Sequence, residues 1–281
     1  MAQNETLKVA CVQMTSGPVV ADNLEAAEEM IRDAAGQGAQ MVFTPENTCR
    51  ILSPQNEKSE KLPVEARHPG LPLFAGLAEE LGIWIICGSM KVKLAGQALP
   101  TNRCYVFSDT GDISAFYDKI HLYDADLPTG ERHRESKVVM PGNKAVVTET
   151  PWGELGLSIC YDLRFACLYR MLAQNGAKIL SVPAAFTVPT GKAHWEVLLR
   201  ARAIETGSFV VAAAQTGEHD GGRLTYGHSM IVSPWGEVLA QAGEDTEIIM
   251  AELDMSEVEK VRTAIPSLKH DREILLSLFR Y

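Results

Sequence analysis

Short apolar runs that alternate with amphipathic stretches fill the first third of the chain, and this order restricts the fold more than any other feature. Residues 8–14 (KVACVQM) read as a strand. Over 23–35, Leu24, Ala27, Met30, Ile31 and Ala34 recur at helical spacing, with Asp22 placed to cap the helix. Residues 40–44 (QMVFT) form a buried-strand run that ends in Pro45-Glu46, 71–81 are helical in pattern, and 83–87 form another strand. Strand, helix, strand, helix, strand predicts a layered α/β fold. The longest uninterrupted apolar run, 83–87, is far below the ~20 residues that a membrane helix needs, so no membrane is expected.

The middle changes character. Runs at 104–107 and 113–117 flank Asp109-Thr110-Gly111 and read as a β-hairpin. Residues 123–140 are polar and irregular, long enough for a functional loop. A helix over 164–174, a strand over 178–182, a helix over 193–206 and a strand over 209–214 follow. Strand runs at 145–148 and 155–159, and again at 229–232 and 238–240, flank the same tetrapeptide, Pro-Trp-Gly-Glu, at 151–154 and 234–237. The repeat hints at a duplication with two similar sheets packed together, or it reflects two independent turns that use glycine for the same positive φ. No Ser/Gly/Pro linker divides the chain, so residues 1–281 read as one domain. Residues 268–281, with Ile274, Leu275, Leu278 and Phe279, form either an extended arm or a closing helix.

Composition narrows the function. The 281 residues are 46% hydrophobic and 22% charged, ordinary for a globule and wrong for a disordered chain or a coiled-coil rod. With 26 basic and 36 acidic residues the net charge is -10. Such a surface repels phosphate backbones, and no basic run offsets it, so nucleic acid is not an expected partner. The six cysteines form no C-x-x-C pair and no zinc-spaced cluster with histidine, so neither a metal nor a cofactor is expected. Six thiols behind an N-terminus with no secretory pattern read as reduced and cytoplasmic.

Three apolar strand runs end on a chemically capable residue: Glu46 after 42–45, Lys119 after 116–118 and Cys160 after 157–159. Strand ends in layered α/β folds gather at one edge, where ligands bind. A cysteine at a strand-to-helix turn is exposed, with the helix N-terminus favouring its thiolate. Each residue alone has a plain alternative: a small buried hydrophobe, a loop carboxylate, a solvated cation. A Cys–His pair with His194 or His228 is also conceivable.

Together the three resemble the nitrilase superfamily of carbon–nitrogen hydrolases. The resemblance runs nearly end to end through Thr-Pro-Glu at 44–46, Tyr-Asp-Lys-Ile-His-Leu at 117–122, Ser-Ile-Cys-Tyr-Asp-Leu-Arg-Phe at 158–165 and Tyr-Gly-His-Ser at 226–229. It implies a four-layer α-β-β-α sandwich, a triad of Glu46, Lys119 and Cys160, and a further glutamate, Glu135. Residues 182–186, 187–196 and 199–205 look like the Nit-type amidase branch, which includes deaminated-glutathione amidases and omega-amidases. One departure stands out: Arg164-Phe165 is followed by Ala166-Cys167 where the branch usually has Pro-Glu. The helix thereby loses a favoured first-turn proline and an acid that suits its positive end.

The resemblance implies an amide-hydrolysing enzyme without a cofactor. Cys160 attacks the carbonyl, Glu46 moves the proton, Lys119 and the Tyr161 backbone N–H receive the oxyanion, Glu135 orients Lys119, and water resolves a thioester. Such base work asks that enclosure raise the carboxylate pKa, or that Lys119 and a helix end lower that of the thiol. The same thioester would serve an acyl-transferring or nitrile-hydrolysing enzyme, and an idle interaction protein on this scaffold is a third class. The branch implies deaminated glutathione or α-ketoglutaramate as substrate. Arg164 and Lys192 are candidates for its carboxylates, against a structural ion pair and a surface charge; Tyr117 and Phe186 are candidate pocket walls. The superfamily usually forms dimers through a helical face and a C-terminal tail, so a homodimer or higher homo-oligomer is expected.

Overall fold

A computed structural model of the protein describes residues 6–53, 56 and 62–278. Two six-stranded sheets face each other. The first is built from β1 (Thr6–Gln13), β2 (Met41–Phe43), β3 (Trp84–Val92), β4 (Thr101–Phe107) and β5 (Ile113–Asp118). A late strand, Glu247–Asp254, closes its other edge against β1. β1, β2 and β3 are parallel; the outer pairings are antiparallel. Strict alternation along β1 explains the layering. Leu7, Val9 and Cys11 enter the core between the sheets, while Ala10 and Val12 pack under helices α1 (Val20–Gly36) and α2 (Gly70–Leu81). A strand buried on both faces reads as continuously apolar, as residues 8–14 do.

A two-stranded ribbon, β6 (Asp124–Asp126) and β7 (Arg132–Arg134), lies within the polar 123–140 segment. The second sheet is β8 (Val147–Thr150), β9 (Gly153–Leu157), β10 (Ile179–Ser181) and β11 (Phe209–Ala212), followed past another ribbon, β12 (Thr216–His219) and β13 (Arg223–Tyr226), by β14 (Met230–Val232) and β15 (Val238–Gln241). The late strand is β16. Helices α3 (Ala166–Gln174) and α4 (Val188–Thr206) complete the α-β-β-α sandwich, and α5 (Ser256–Ala264) follows β16. Among the described residues no helix is long and apolar enough to cross a membrane.

The two sheets repeat one pairing pattern: antiparallel, parallel, parallel, antiparallel, antiparallel. The Pro-Trp-Gly-Glu tetrapeptides do not mark that repeat. Both lie in the second sheet, at opposite edges. The first makes a tight turn in which Thr150 pairs directly with Gly153. The second makes a longer one, with Ser233 N–H donating to Glu237 O and Gly236 N–H to Ser233 O. The turn with that second geometry is 108–112 in the first sheet, where Ser108 N–H donates to Asp112 O and Gly111 N–H to Ser108 O. Gly111 and Gly236 share positive φ, 79° and 89°.

Two local expectations need correction, and one open alternative narrows. Asp22 lies in the first turn of α1, where it meets the positive end of the helix, while Val19 occupies the cap position. α4 begins at Val188, five residues early, because Pro189 sits in its first turn, where no N–H is missed. Gly191 fits within this helix because the Tyr226 ring lies where a Cβ would be. Finally, residues 270–278 form no helix, and Ile274, Leu275 and Leu278 are exposed. Phe279 lies outside the described residues.

Candidate active site

Glu46, Lys119 and Cys160 come together between the sheets, at the ends of β2, β5 and β9, and all three are buried. The end of β2 is stitched to β3: Thr44 N–H donates to Ile86 O, Gly88 N–H to Thr44 Oγ1, and Asn47 N–H to Ser89 Oγ. A side chain at Gly88 would collide with Thr44 O and with Pro183 of the opposite sheet. Its absence lets the two sheets close over the site. Asn47 and Cys160 hold positive φ, 57° and 51°, a conformation that non-glycine residues adopt at a cost and that gathers at functional sites.

Lys119 Nζ donates to Glu46 Oε1 at 2.8 Å and to Glu135 Oε2 at 2.9 Å. Glu135 opens a short 3-10 turn after the β6–β7 ribbon and is fixed by Tyr123 N–H. Glu46 also accepts from Asn102 Nδ2 on Oε1 and from Ala185 N–H on Oε2, both at 3.0 Å. The Cys160 thiol lies close enough to the Glu46 carboxylate for the two to shift each other's ionisation, and Cys160 N–H donates to Pro183 O.

The electrostatics run opposite to the expected direction. Burial pushes the Glu46 carboxyl up, but Lys119 and the hydrogen bonds outweigh it and hold the group below its ordinary value. Burial and the Glu46 charge push the Cys160 thiol well up, against the smaller pull of Lys119. The glutamates keep Lys119 protonated against its burial. The resting site is therefore carboxylate, ammonium and neutral thiol. No long helix starts at Cys160 to favour a thiolate, since a five-residue 3-10 turn, Cys160–Arg164, intervenes before α3.

That turn is locked by Asp162, which is fully buried. It accepts from Ile159 N–H and Tyr117 Oη on one oxygen, and from His121 N–H on the other. The nucleophile turn and the chain just past Lys119 are thus pinned together. Tyr117 is consequently core, not a pocket wall. Neither Asp162 nor Asn102 stood out in the sequence; Asp162 lies inside the cysteine motif, and only packing assigns it a task.

The other candidates divide. Tyr161 follows Cys160 directly, and its ring packs on Tyr123 and Phe165. Arg164 lies over the Tyr161 and Phe186 rings, with Nη1 3.3 Å from His194 Nδ1 and no carboxylate partner among the described residues. Phe186 packs on Trp195. Lys192 is exposed on α4 rather than in a loop. His194 meets Arg164, and His228 stacks on Tyr226, so neither histidine is paired with Cys160. Cys167 is exposed, and all six cysteines are free. Arg223, which the sequence did not single out, stands close enough to Glu46 to help hold it ionised.

Known proteins share both sequence and fold. The sequence pattern of carbon-nitrogen hydrolases matches residues 8–263. A deaminated glutathione amidase of Synechocystis sp. is 43% identical over 264 residues, 93% of this chain and 96% of that protein. Omega-amidase NIT2-A of Xenopus laevis is 38% identical over 273 residues, 96% of this chain and 97% of that one. The crystal structure of Saccharomyces cerevisiae Nit3, described as a member of branch 10 of the nitrilase superfamily, superposes with a TM-score of 0.85 at 29% identity, covering 95% of this chain and 97% of that one.

Proposed function

The chain belongs to the carbon-nitrogen hydrolase family, and from that premise we propose that it is a thiol-dependent amidase that hydrolyses a small amide bearing carboxylates, with deaminated glutathione the best match. The observation that carries this reading is the buried meeting of three strand ends, where the neutral Cys160 thiol stands beside an ionised Glu46 that Lys119 braces at 2.8 Å. As the Cys160 sulfur attacks the amide carbonyl, its proton passes to Glu46. The oxyanion forms beside Lys119 Nζ and the Tyr161 N–H, and Glu46 then protonates the leaving amine. Water, deprotonated by Glu46, resolves the thioester to the acid and restores the thiol. Because the thiol is not ionised beforehand, proton transfer and attack proceed together. Glu135 holds Lys119 in place and balances its charge.

The substrate assignment is supported by the 43% identity to a deaminated glutathione amidase, with omega-amidase chemistry on α-ketoglutaramate as the neighbouring activity. The free thiols suit a cytoplasmic setting. The exposed apolar side chains of Ile274, Leu275 and Leu278 suit a tail that packs on a second copy. Comparison of kcat/KM for deaminated glutathione, α-ketoglutaramate, a neutral aliphatic amide and a nitrile tests the substrate reading, with activity expected to fall in that order. A tenfold advantage for the neutral amide or the nitrile, about 1.4 kcal/mol in transition-state binding, would leave only general amidase chemistry.

A further inference from the structure

The groups bonded together at the centre carry more negative than positive charge. Glu46 and Glu135 share one bonded ammonium, Lys119, with Lys91 and Arg223 farther out but within electrostatic reach. With a neutral thiol, that cluster carries one net negative charge inside a protein of net charge -10. A substrate bearing carboxylates has to meet a cation that this cluster does not already use.

Arg223 fits that description. Its Nε is buried without a hydrogen-bond partner. Its one side-chain hydrogen bond among the described residues is from Nη2 to Ala185 O at 3.5 Å, the limit for such a bond. It makes no ion pair among the described residues, and the hydrogen bonds of Glu46 run to Lys119, Asn102 and Ala185 instead. The buried arginines, Arg103 and Arg202, are used up, as is Arg262, half-buried like Arg223. Arg103 grips Asp118 through two nitrogens and Glu65 through a third. Arg202 holds Leu163 O and Glu205. Arg262 holds Thr206 O and Ala177 O. Leaving a guanidinium donor buried and idle costs free energy that an arriving acceptor would recover.

The backbone around Arg223 is also fixed in advance. It begins β13, paired with His219 of β12. Asp220, in the turn between the two strands, accepts from Ser53 N–H and from Asn56. Downstream, Tyr226 N–H donates to Phe186 O, and Thr225 bridges to Thr187. The ribbon is thereby tied to the 185–187 segment whose first N–H holds Glu46, which keeps the guanidinium beside the reacting groups without a closing motion.

We propose that Arg223 is the substrate-recognition residue of this site: its guanidinium, with Nε unpaired and Nη2 on Ala185 O beside Glu46, receives a carboxylate of the amide substrate. The inference rests on the reading above, that the substrate bears carboxylates, and it assigns that recognition to one residue. Arginine suits the task because its planar fork matches a carboxylate with two parallel bonds. Its charge also offsets the approach of an anion to Glu46, so that Glu46 stays ionised as a base when the substrate is bound.

The test uses the full-length enzyme, its Arg223→Gln and Arg223→Lys variants, and Arg164→Gln. The substrates are glutaramate, whose carboxylate is on the acyl side; N-butyrylglycine, whose carboxylate leaves with the amine; and neutral butyramide. The readout is the ratio of kcat/KM for each charged amide to that for butyramide. In Arg223→Gln at least one ratio is expected to fall ~10²-fold, the scale of a charge-assisted bond lost to binding, with Arg223→Lys intermediate. Equal loss on all three substrates, which would make Arg223 a support for Glu46, overturns the proposal. So does retention of both ratios, or their loss in Arg164→Gln alone. If the wild-type enzyme itself shows no preference for either charged amide, the carboxylate-substrate reading falls, whatever the variants do.

Discussion

Replacing Lys119 by methionine isolates the electrostatics of the cluster, because the side chain is 2% exposed and touches both glutamates. Methionine keeps most of the volume and removes the ammonium, its charge and its N–H donors together. Two carboxylates held on either side of one ammonium stand about 6 Å apart, where like unit charges interact by ~3 kcal/mol at an effective dielectric of 20. Removing one partner from a buried ion cluster costs about 3–5 kcal/mol for the same reason. At pH 8 the variant is therefore expected to lose about 3–5 kcal/mol of unfolding free energy. The loss should shrink at pH 5 to ~1–2 kcal/mol, since one carboxylate can then take up a proton and end the repulsion. Adding Glu135→Gln to Lys119→Met should recover most of the loss at pH 8. Urea unfolding followed by tryptophan fluorescence at the two pH values measures this. A loss that is the same at both pH values, or that the second substitution leaves intact, would show that Lys119 matters by its packing and not by its charge.

Other expectations follow from the same geometry. Cys160→Ala should abolish amide hydrolysis with the fold intact by circular dichroism, while Cys167→Ala keeps most activity; the reverse pattern would refute the nucleophile assignment. Glu46→Gln should block both half-reactions, and Glu135→Gln should slow turnover by less than the ~10²–10⁴-fold attached to a proton-transfer group; a fully active Glu46→Gln enzyme would sink the scheme. With Glu46 held low and the Cys160 thiol and Lys119 held high, kcat/KM for a neutral amide should stay level across neutral pH. The Glu46 contribution to stability should fade only as pH falls through its lowered value, and that of Lys119 only as pH rises through its raised one; an activity midpoint near ~7 would instead report thiol ionisation. Sedimentation should show at least a dimer, and a monomer independent of concentration would count against the tail as an assembly element.

The strand-end positions of Glu46, Lys119 and Cys160 were legible because each depends on a short local pattern, an apolar run that stops at a reactive residue. The layer order was legible for the same reason: strands buried on both faces and helices buried on one have different periods. What depends on distance across the fold was not. Burial and Glu46 raise the Cys160 thiol, and Lys119 and Cys160 hold Glu46 low against its own burial; these three groups come from three separate segments. Arg223 looks like a solvated turn residue in Gly221-Gly222-Arg223, and only the unpartnered Nε distinguishes it. The start of α4 was hidden by Pro189 and Gly191, two residues that usually break helices and here sit where they are tolerated. The repeated Pro-Trp-Gly-Glu pointed to a real duplication through the wrong pair of turns.

The matching pairing order of the two sheets places Glu46 opposite Ala184 in the repeat, three residues past Phe43 of β2 and Ser181 of β10, and Cys160 opposite Met14, three residues past their register partners Leu157 of β9 and Cys11 of β1. The mirrored positions carry apolar side chains, so a scaffold with two equivalent ends holds one reactive end. The carboxylate and the ammonium come from the first half and the thiol from the second. Cut between Gly142 and Val147, the chain would give two inert pieces, the first lacking its edge strand β16, which stays on the second, and each with an incomplete centre. Activity would return only on their reassociation, which makes this fold a natural reporter of whether two fused partners meet.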